Sequence, residues 1–472
     1  MQATRLHGVS TREQTVCAPA RRNLVVVLVA ASAVTAISLG VRSTFGLFLT
    51  PMTQALGTNR AGFALAIAIQ NLVWGAGQPI AGALADRFGP ARVLTVGGAA
   101  YAAGVLLMAR ASSTTGLYLG GGVVVGLGMA AASFAVVLAA VGRLAPPERR
   151  TWAMGIATAA GSLGQFALVQ LVGRLQGSFG WRDALVVMAC VAGAIVLCTY
   201  PLRGEARRGQ TAGADATPPE TLSVTLRRAF RHPPFLLLCA GFFVCGFHVT
   251  FIGTHLPAYL TDAGLTRSVA TNALALIGLF NVAGSFAAGA LGMRHSKARL
   301  LSFIYGIRAL AIVGLVLAPH TAVSALVFAS VMGVLWLGTV PLTSGIVVGQ
   351  FGVTHAGTLF GFVFFAHQIG AFIGVWFGGR LADAAGSYDP VWWIAVGLGV
   401  FGAVVNLFVT ETPAPPLPPA LDGPAVGVRP AIAGMATVVA LAGVGGALAL
   451  RHDEADASVA AAPATVVCVV HP

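Results

Sequence analysis

Long apolar runs alternate with short polar breaks along most of this chain. The runs fall near residues 24–49, 62–84, 93–109, 116–141, 152–173, 184–201, 235–259, 269–292, 300–318, 322–348, 357–379 and 391–410. A helix needs about 20 apolar residues to cross a hydrocarbon core roughly 30 Å thick, so the pattern predicts twelve membrane-spanning helices. The longest internal polar break, 202–234, divides the runs into six and six, giving bundles over 23–201 and 235–412. Residues 1–22 carry Arg5, Arg12, Arg21 and Arg22. No small-residue cleavage site follows a short apolar core, so this segment reads as a cytoplasmic tail and not as a signal peptide. Past Thr412 come Pro413, Pro415, Pro416, Pro418 and Pro419, which mark 413–472 as linker and tail. Within it, 431–450 is a weak thirteenth apolar run with no counterpart elsewhere.

The two halves echo one another. Gly82-Ala83-Leu84-Ala85-Asp86-Arg87-Phe88-Gly89-Pro90-Ala91-Arg92-Val93-Leu94 reads as a tight charged turn between two apolar runs, and a degraded copy occupies 289–301, an offset of 207 residues. Gly173-Arg174-Leu175 with Gly180 and Asp183 recurs as Gly379-Arg380-Leu381 with Gly386 and Asp389, an offset of 206. Two segments returning at nearly one distance point to a duplicated six-helix unit.

Composition supports a membrane chain and not a large soluble core: 57% of residues are hydrophobic and 9% are charged. Soluble domains average about 25% charged residues. With the N-terminus inside, eighteen Lys and Arg residues before the last run fall in cytoplasmic segments and six in external ones. That positive-inside bias accounts for the net charge of +13, and without a basic-aromatic stripe on a soluble domain it does not imply nucleic acid. The six cysteines show no metal spacing, and the four within apolar runs read as small core residues.

Twelve runs in two repeats, with Gly-x-x-x-Asp-Arg-x-Gly-x-x-Arg between the second and third, resemble the major facilitator superfamily of secondary transporters over residues 20 to 412. The resemblance implies two pseudo-symmetric six-helix bundles around a central cavity in the inner (plasma) membrane. It also implies a conformational latch made by Gly82, Asp86, Arg87, Gly89 and Arg92, with Asp86 meeting the opposite half. Arg87 and Arg92 have lipid headgroups as alternative partners. The segment Gly40 to Met52 and the pair His367-Gln368 are similar to the bacterial monocarboxylate and oxalate-formate branch, which often has a basic residue near the outer end of the first span, where Arg42 falls. Many carriers of that branch place an Asp and an Arg in the eighth span, whereas here it reads Leu279-Phe280-Asn281-Val282-Ala283-Gly284-Ser285. Drug-proton antiporters, the main rival, resemble one another in a fourth-span Arg and a fifth-span Gly-Pro, both missing here. The glycines Gly120, Gly121, Gly122, Gly126 and Gly128 read as close helix-packing points.

Every acidic residue can be placed in a loop, a tail or a span end, while Arg42 and Arg308 lie within spans. Arg308 falls roughly 13 Å into its span, and a guanidinium there costs at least ~2.5 kcal/mol. It needs a partner: helix carbonyls, hydroxyls, amides or a substrate anion. Gln70 and Trp74 on the second span, and Trp336 and Thr339 where Pro341, Thr343 and Ser344 interrupt the tenth, are candidates for orienting a small polar ligand. His248 and His367 are the intramembrane groups best suited to carry a proton, a packing role being the alternative. No Ser-His-Asp set, metal spacing or cofactor motif appears, so the expectation is no enzyme, no metal and no cofactor. A membrane sensor or scaffold is the reading from another class. The expected partners are a small organic anion, most of all a monocarboxylate, protons and the lipid bilayer.

Overall fold

A computed structural model describes residues 24–133, 136–137, 140–141, 150–203, 220–352 and 355–416; for Asp86 and residues 150–154 it describes the backbone alone. The described residues are helical almost throughout. The helices are α1 Leu24–Ser43, α2 Leu49–Leu56, α3 Arg60–Phe88, α4 Pro90–Ala109, α5 Thr114–Leu117, α6 Val125–Ala131, α7 Arg150–Cys198 and α8 Leu222–Phe230. They continue as α9 Pro233–Asp262, α10 Arg267–Gly292, α11 Lys297–Leu317, α12 Ala322–Leu335, α13 Thr339–Phe351, α14 Ala356–Ala385 and α15 Asp389–Leu407. Polar residues at the breaks start them. The Asn59 side chain accepts from the Gly62 N–H at 2.8 Å, Thr266 caps α10, and Thr321 with Ser324 forms a capping box on α12.

Ten helical segments among the described residues are long and apolar enough to cross a membrane. One of them, Gly155–Leu202, runs for 48 residues. It holds the fifth and sixth expected runs, which join without a loop: Gly180 alone breaks the helix, with φ of 82° and ψ of 177°. Only glycine adopts that conformation without strain. The 29-residue α3 is not among the ten, because Gln70, Asn71, Gln78, Asp86 and Arg87 dilute its apolarity. The candidate thirteenth run lies outside the described residues.

Two expected boundaries shift. The first run extends past 49, because α1 passes through a tight 3₁₀ turn at Phe45–Phe48 into α2 and ends at Leu56. The charged motif is less of a turn than its sequence suggests: Gly82, Asp86 and Arg87 continue α3, and only Gly89, at φ of 88°, and Pro90 reverse the chain. Ala, Leu and Phe between the charges sustain the helix to that point. Around Gly120–Gly122 the helix widens into a π turn over Tyr118–Val124. These glycines do serve close packing; a Cβ at Gly128 would lie 2.5 Å from the Tyr101 nitrogen. One expectation for the cysteines fails: Cys190 is exposed on the outside of α7 and not in a core.

The helices before residue 203 pack chiefly on one another, α1 and α4 against α7, and α3 and α4 against α6. The later ones do likewise, α9 against α14, α11 against α15 and α10 against α12. Two long seams join the sets, α3 with α14 and α7 with α10. The sets approach closely where Gly46 meets α9: a Cβ there would lie 2.2 Å from the Gly253 carbonyl oxygen, so a larger residue has no room.

Candidate functional site

The break after α1 creates the site. Because the helix stops at Ser43 and resumes at Leu49, Arg42 stands well inside the 33-residue segment Leu24–Leu56, not near its outer end as the apolar run suggests. There it borders a small cavity of about 40 Å³ between the two helix sets, whose wall includes Ser43, Gln70 and Gln165 from one set and Thr250, Thr254 and Trp336 from the other.

Arg42 is held by neutral groups. Its Nη2 donates to Asn71 Oδ1 at 3.0 Å and, more weakly, to Thr250 Oγ1 of α9 at 3.4 Å. The Trp74 ring lies 5.1 Å from the guanidinium carbon, and Phe364 of α14 packs edge-on against that ring at 5.2 Å. Asn71 is itself fixed, since its Nδ2 donates to the Ile67 carbonyl at 2.7 Å and its own carbonyl accepts from Gln368 Nε2 at 3.1 Å. Several polar atoms around the guanidinium are buried without a hydrogen-bond partner: Arg42 Nε, Trp74 Nε1, Gln70 Oε1 and Gln165 Oε1. No carboxylate pairs with Arg42 among the described residues. The cavity therefore presents one fixed positive charge with unused donors and acceptors beside it.

Of the residues expected to bind substrate, Arg42, Gln70 and Trp336 line the cavity and Trp74 backs Arg42. Arg308 and Thr339 lie outside its lining, both fully buried at 0% exposure. Arg308 donates from Nε to the Leu335 carbonyl at 3.2 Å, and from Nη2 to the carbonyls of Leu335 and Trp336, where α12 breaks before α13. Helix-end carbonyls thus supply the partner, one of the options open from sequence. His248 is buried with Nε2 on the Ala395 carbonyl at 2.8 Å, and His367 Nδ1 meets Gln368 Oε1 at 3.0 Å while its ring stacks on Phe364. In the charged motif Arg87 and Arg92 are exposed and Gly89 ends the helix; the Asp86 side chain lies outside the described residues.

Two groups of residues escaped the sequence. Asn71, Thr250 and Gln165 read as ordinary polar residues of apolar runs, although Asn71 sits beside Gln70 on the same helix as Trp74. A second feature is a charged network at the end where α3 begins. Arg60 makes a two-pronged ion pair with Asp262 of α9, while the backbone N–H groups of Arg60 and Ala61 donate to the two carboxylate oxygens of Asp383 in α14, the latter at 2.7 Å. The Tyr388 ring lies 5.2 Å from the Arg60 guanidinium. One N-terminal helix end is thereby tied to three C-terminal elements.

The sequence profile of the Major Facilitator Superfamily matches residues 31–375. The chain belongs to this superfamily. It is a multi-pass membrane transporter and not an enzyme. Rat monocarboxylate transporter 13 is 27% identical over 384 residues, covering 79% of this chain and 87% of that protein. The uncharacterised transporter YcxA of Bacillus subtilis is 24% identical over 388 residues, covering 78% and 90% respectively. Among solved structures, a D-xylose-proton symporter superposes with a TM-score of 0.63 at 15% identity, covering 84% of this chain and 99% of its own. A bacterial homologue of the lysosomal transporter Spinster, in an inward-facing conformation, gives 0.62 at 17% identity. Those two likenesses concern the fold alone.

Proposed function

We propose that this superfamily member carries a small organic anion, most of all a monocarboxylate, by alternating access around Arg42. The observation behind this reading is the half-buried guanidinium at the junction of the two helix sets, with neutral partners and a buried, unused Nε. A site of that kind attracts anions, and a carboxylate meets a guanidinium through two parallel hydrogen bonds. The unused Trp74 Nε1 offers one more donor, and the relatives named as monocarboxylate transporters agree with the chemistry.

In this reading the chain has twelve spans, once Gly155–Leu202 is taken as two and α3 is added to the apolar segments. They form pseudo-symmetric bundles over 23–201 and 235–412, joined by 202–234, with the N-terminus in the cytoplasm of a bacterial-type cell and the Arg60 end outside. The Arg60 network then closes the external mouth, and the motif from Gly82 to Arg92 acts as the latch at the internal one. Where a pH gradient drives uptake, His248 and His367 are protonatable groups available within the spans.

The test is counterflow of labelled small carboxylates in proteoliposomes. The wild type is expected to exchange at least one of them, Arg42→Lys to be impaired, and Arg42→Gln more so. Export of a bulky lipophilic cation, undiminished in both variants and without carboxylate exchange, overturns the reading.

A further inference from the structure

Arg308 takes a full positive charge into a site with 0% exposure. In apolar surroundings such a charge requires either a counter-charge or dense hydrogen bonding. The Leu335 and Trp336 carbonyls solvate it but leave the charge in place, and no carboxylate pairs with it among the described residues. The remaining guanidinium nitrogen, Nη1, lies 3.5 Å from Cys245 Sγ. Thr339 Oγ1 stands 3.2 Å from the same sulfur. Arg308 thus donates to Cys245, the Thr339 hydroxyl is within hydrogen-bond reach of the same sulfur, and Cys245 is itself completely buried. Tyr305, whose ring lies 5.4 Å from the Arg308 guanidinium carbon, is the other acidic group nearby, but a phenol is a weaker acid than a thiol by roughly 1.5 pH units.

We propose that Cys245 and Arg308 form a buried thiolate-guanidinium pair, and that the Cys245 sulfur is a proton acceptor within the C-terminal helices. Proton uptake makes an S–H bond and removes the negative charge, while Arg308 keeps its proton and its two carbonyl partners. The groups facing the sulfur are Arg308 and Tyr305 from α11, Thr339 from α13 and His367 from α14, with His248 one turn along α9. The pair also touches the cavity wall from behind: Arg308 holds the carbonyl of Trp336, and Val249, a turn from Cys245, lines the cavity with the Trp336 side chain. Resting on the transport reading, the pair is then a place where protonation alters the cavity.

Infrared and ultraviolet spectra decide whether the pair is ionised. In the full chain with Cys17, Cys190, Cys198, Cys239 and Cys468 replaced by Ser, no S–H stretch is expected at neutral pH and thiolate absorption is expected in the ultraviolet. The S–H band should appear on acidification, and both signals should vanish when Cys245→Ser is added. If the multiple replacement impairs folding, the wild-type minus Cys245→Ser difference spectrum gives the same reading. An S–H band at neutral pH without thiolate absorption overturns the pair, whether or not the protein transports. In proteoliposomes, Cys245→Ser should flatten the pH dependence of counterflow; an unchanged profile beside a positive spectrum overturns the coupling role and leaves the pair standing.

Discussion

Arg42 and Arg308 carry the same group into the apolar part of the chain and meet opposite surroundings. Arg308 is sealed among C-terminal helices, where two carbonyls freed by the break between α12 and α13 absorb its hydrogen bonds. Arg42 is held between the helix sets by an amide and a hydroxyl, with Nε unused and a cavity in front of it. The first arrangement leaves no capacity for a ligand and the second does. A charge inside the apolar part of the chain signals a ligand only when its hydrogen-bonding capacity is incompletely used from within the protein.

Placing a carboxylate beside Arg42 should break this difference most severely. Asn71→Asp puts a carboxylate where the amide oxygen stands 3.0 Å away, so that Arg42 acquires an internal counter-ion and the cavity loses its charge. We expect anion binding to weaken by about 3 kcal/mol, on the order of 100-fold, in a direct binding assay. Full affinity in this variant would mean that the ligand is not held through Arg42. The second effect is on stability. Arg308→Met leaves the Leu335 and Trp336 carbonyls unpaired in the interior and should destabilise the protein by about 3 kcal/mol in thermal unfolding. Binding per folded molecule should remain near that of the wild type, and a selective loss of affinity would erase the contrast between the two arginines.

The ends of the molecule offer finer tests. Asp86→Asn, in the motif from Gly82 to Arg92, should slow transport several-fold while leaving equilibrium binding close to normal, since a latch acts on the balance of conformations. Equal loss of both would remove Asp86 from that role. The smallest effect concerns Glu411, which accepts hydrogen bonds from the Ser296 hydroxyl at 2.7 Å and the Ala298 N–H at 3.1 Å, with Lys297 beside it. Burial raises its pKa, but those hydrogen bonds and the Lys297 charge outweigh burial and hold it below the usual carboxylate value. A lowered folded-state value means that the contribution to stability is present above the unfolded value of about 4.3 and lost as the pH falls through the folded one. A modest drop in melting temperature in that acid range, smaller in Glu411→Gln, is expected.

The helical fold was legible because continuous apolarity over about 20 residues has few outcomes other than a helix in lipid. The boundaries were less so. Nothing in the composition around Gly180 announces that a single residue, without a loop, separates two apolar runs, and α3 carries enough polar residues to look less like a span than its neighbours. Arg42 was legible as a charge but not in its depth, which depends on the chain resuming a helical course after Phe45–Phe48. Arg308 was visible too, whereas its carbonyl partners belong to the backbone and have no sequence signature. Arg60, Asp262 and Asp383 are far apart in the chain, and each taken alone is an ordinary charge at a helix end.

The Arg60 network has a practical corollary. In the proposed reading its ion pair and backbone hydrogen bonds close that face, and a bulky membrane-impermeant reagent approaching from it is then expected not to reach a cysteine introduced beside Arg42. Chemical labelling from that side should therefore be use-dependent, slow in an idle protein and accelerated during turnover, so that the rate of modification becomes a counter of completed cycles.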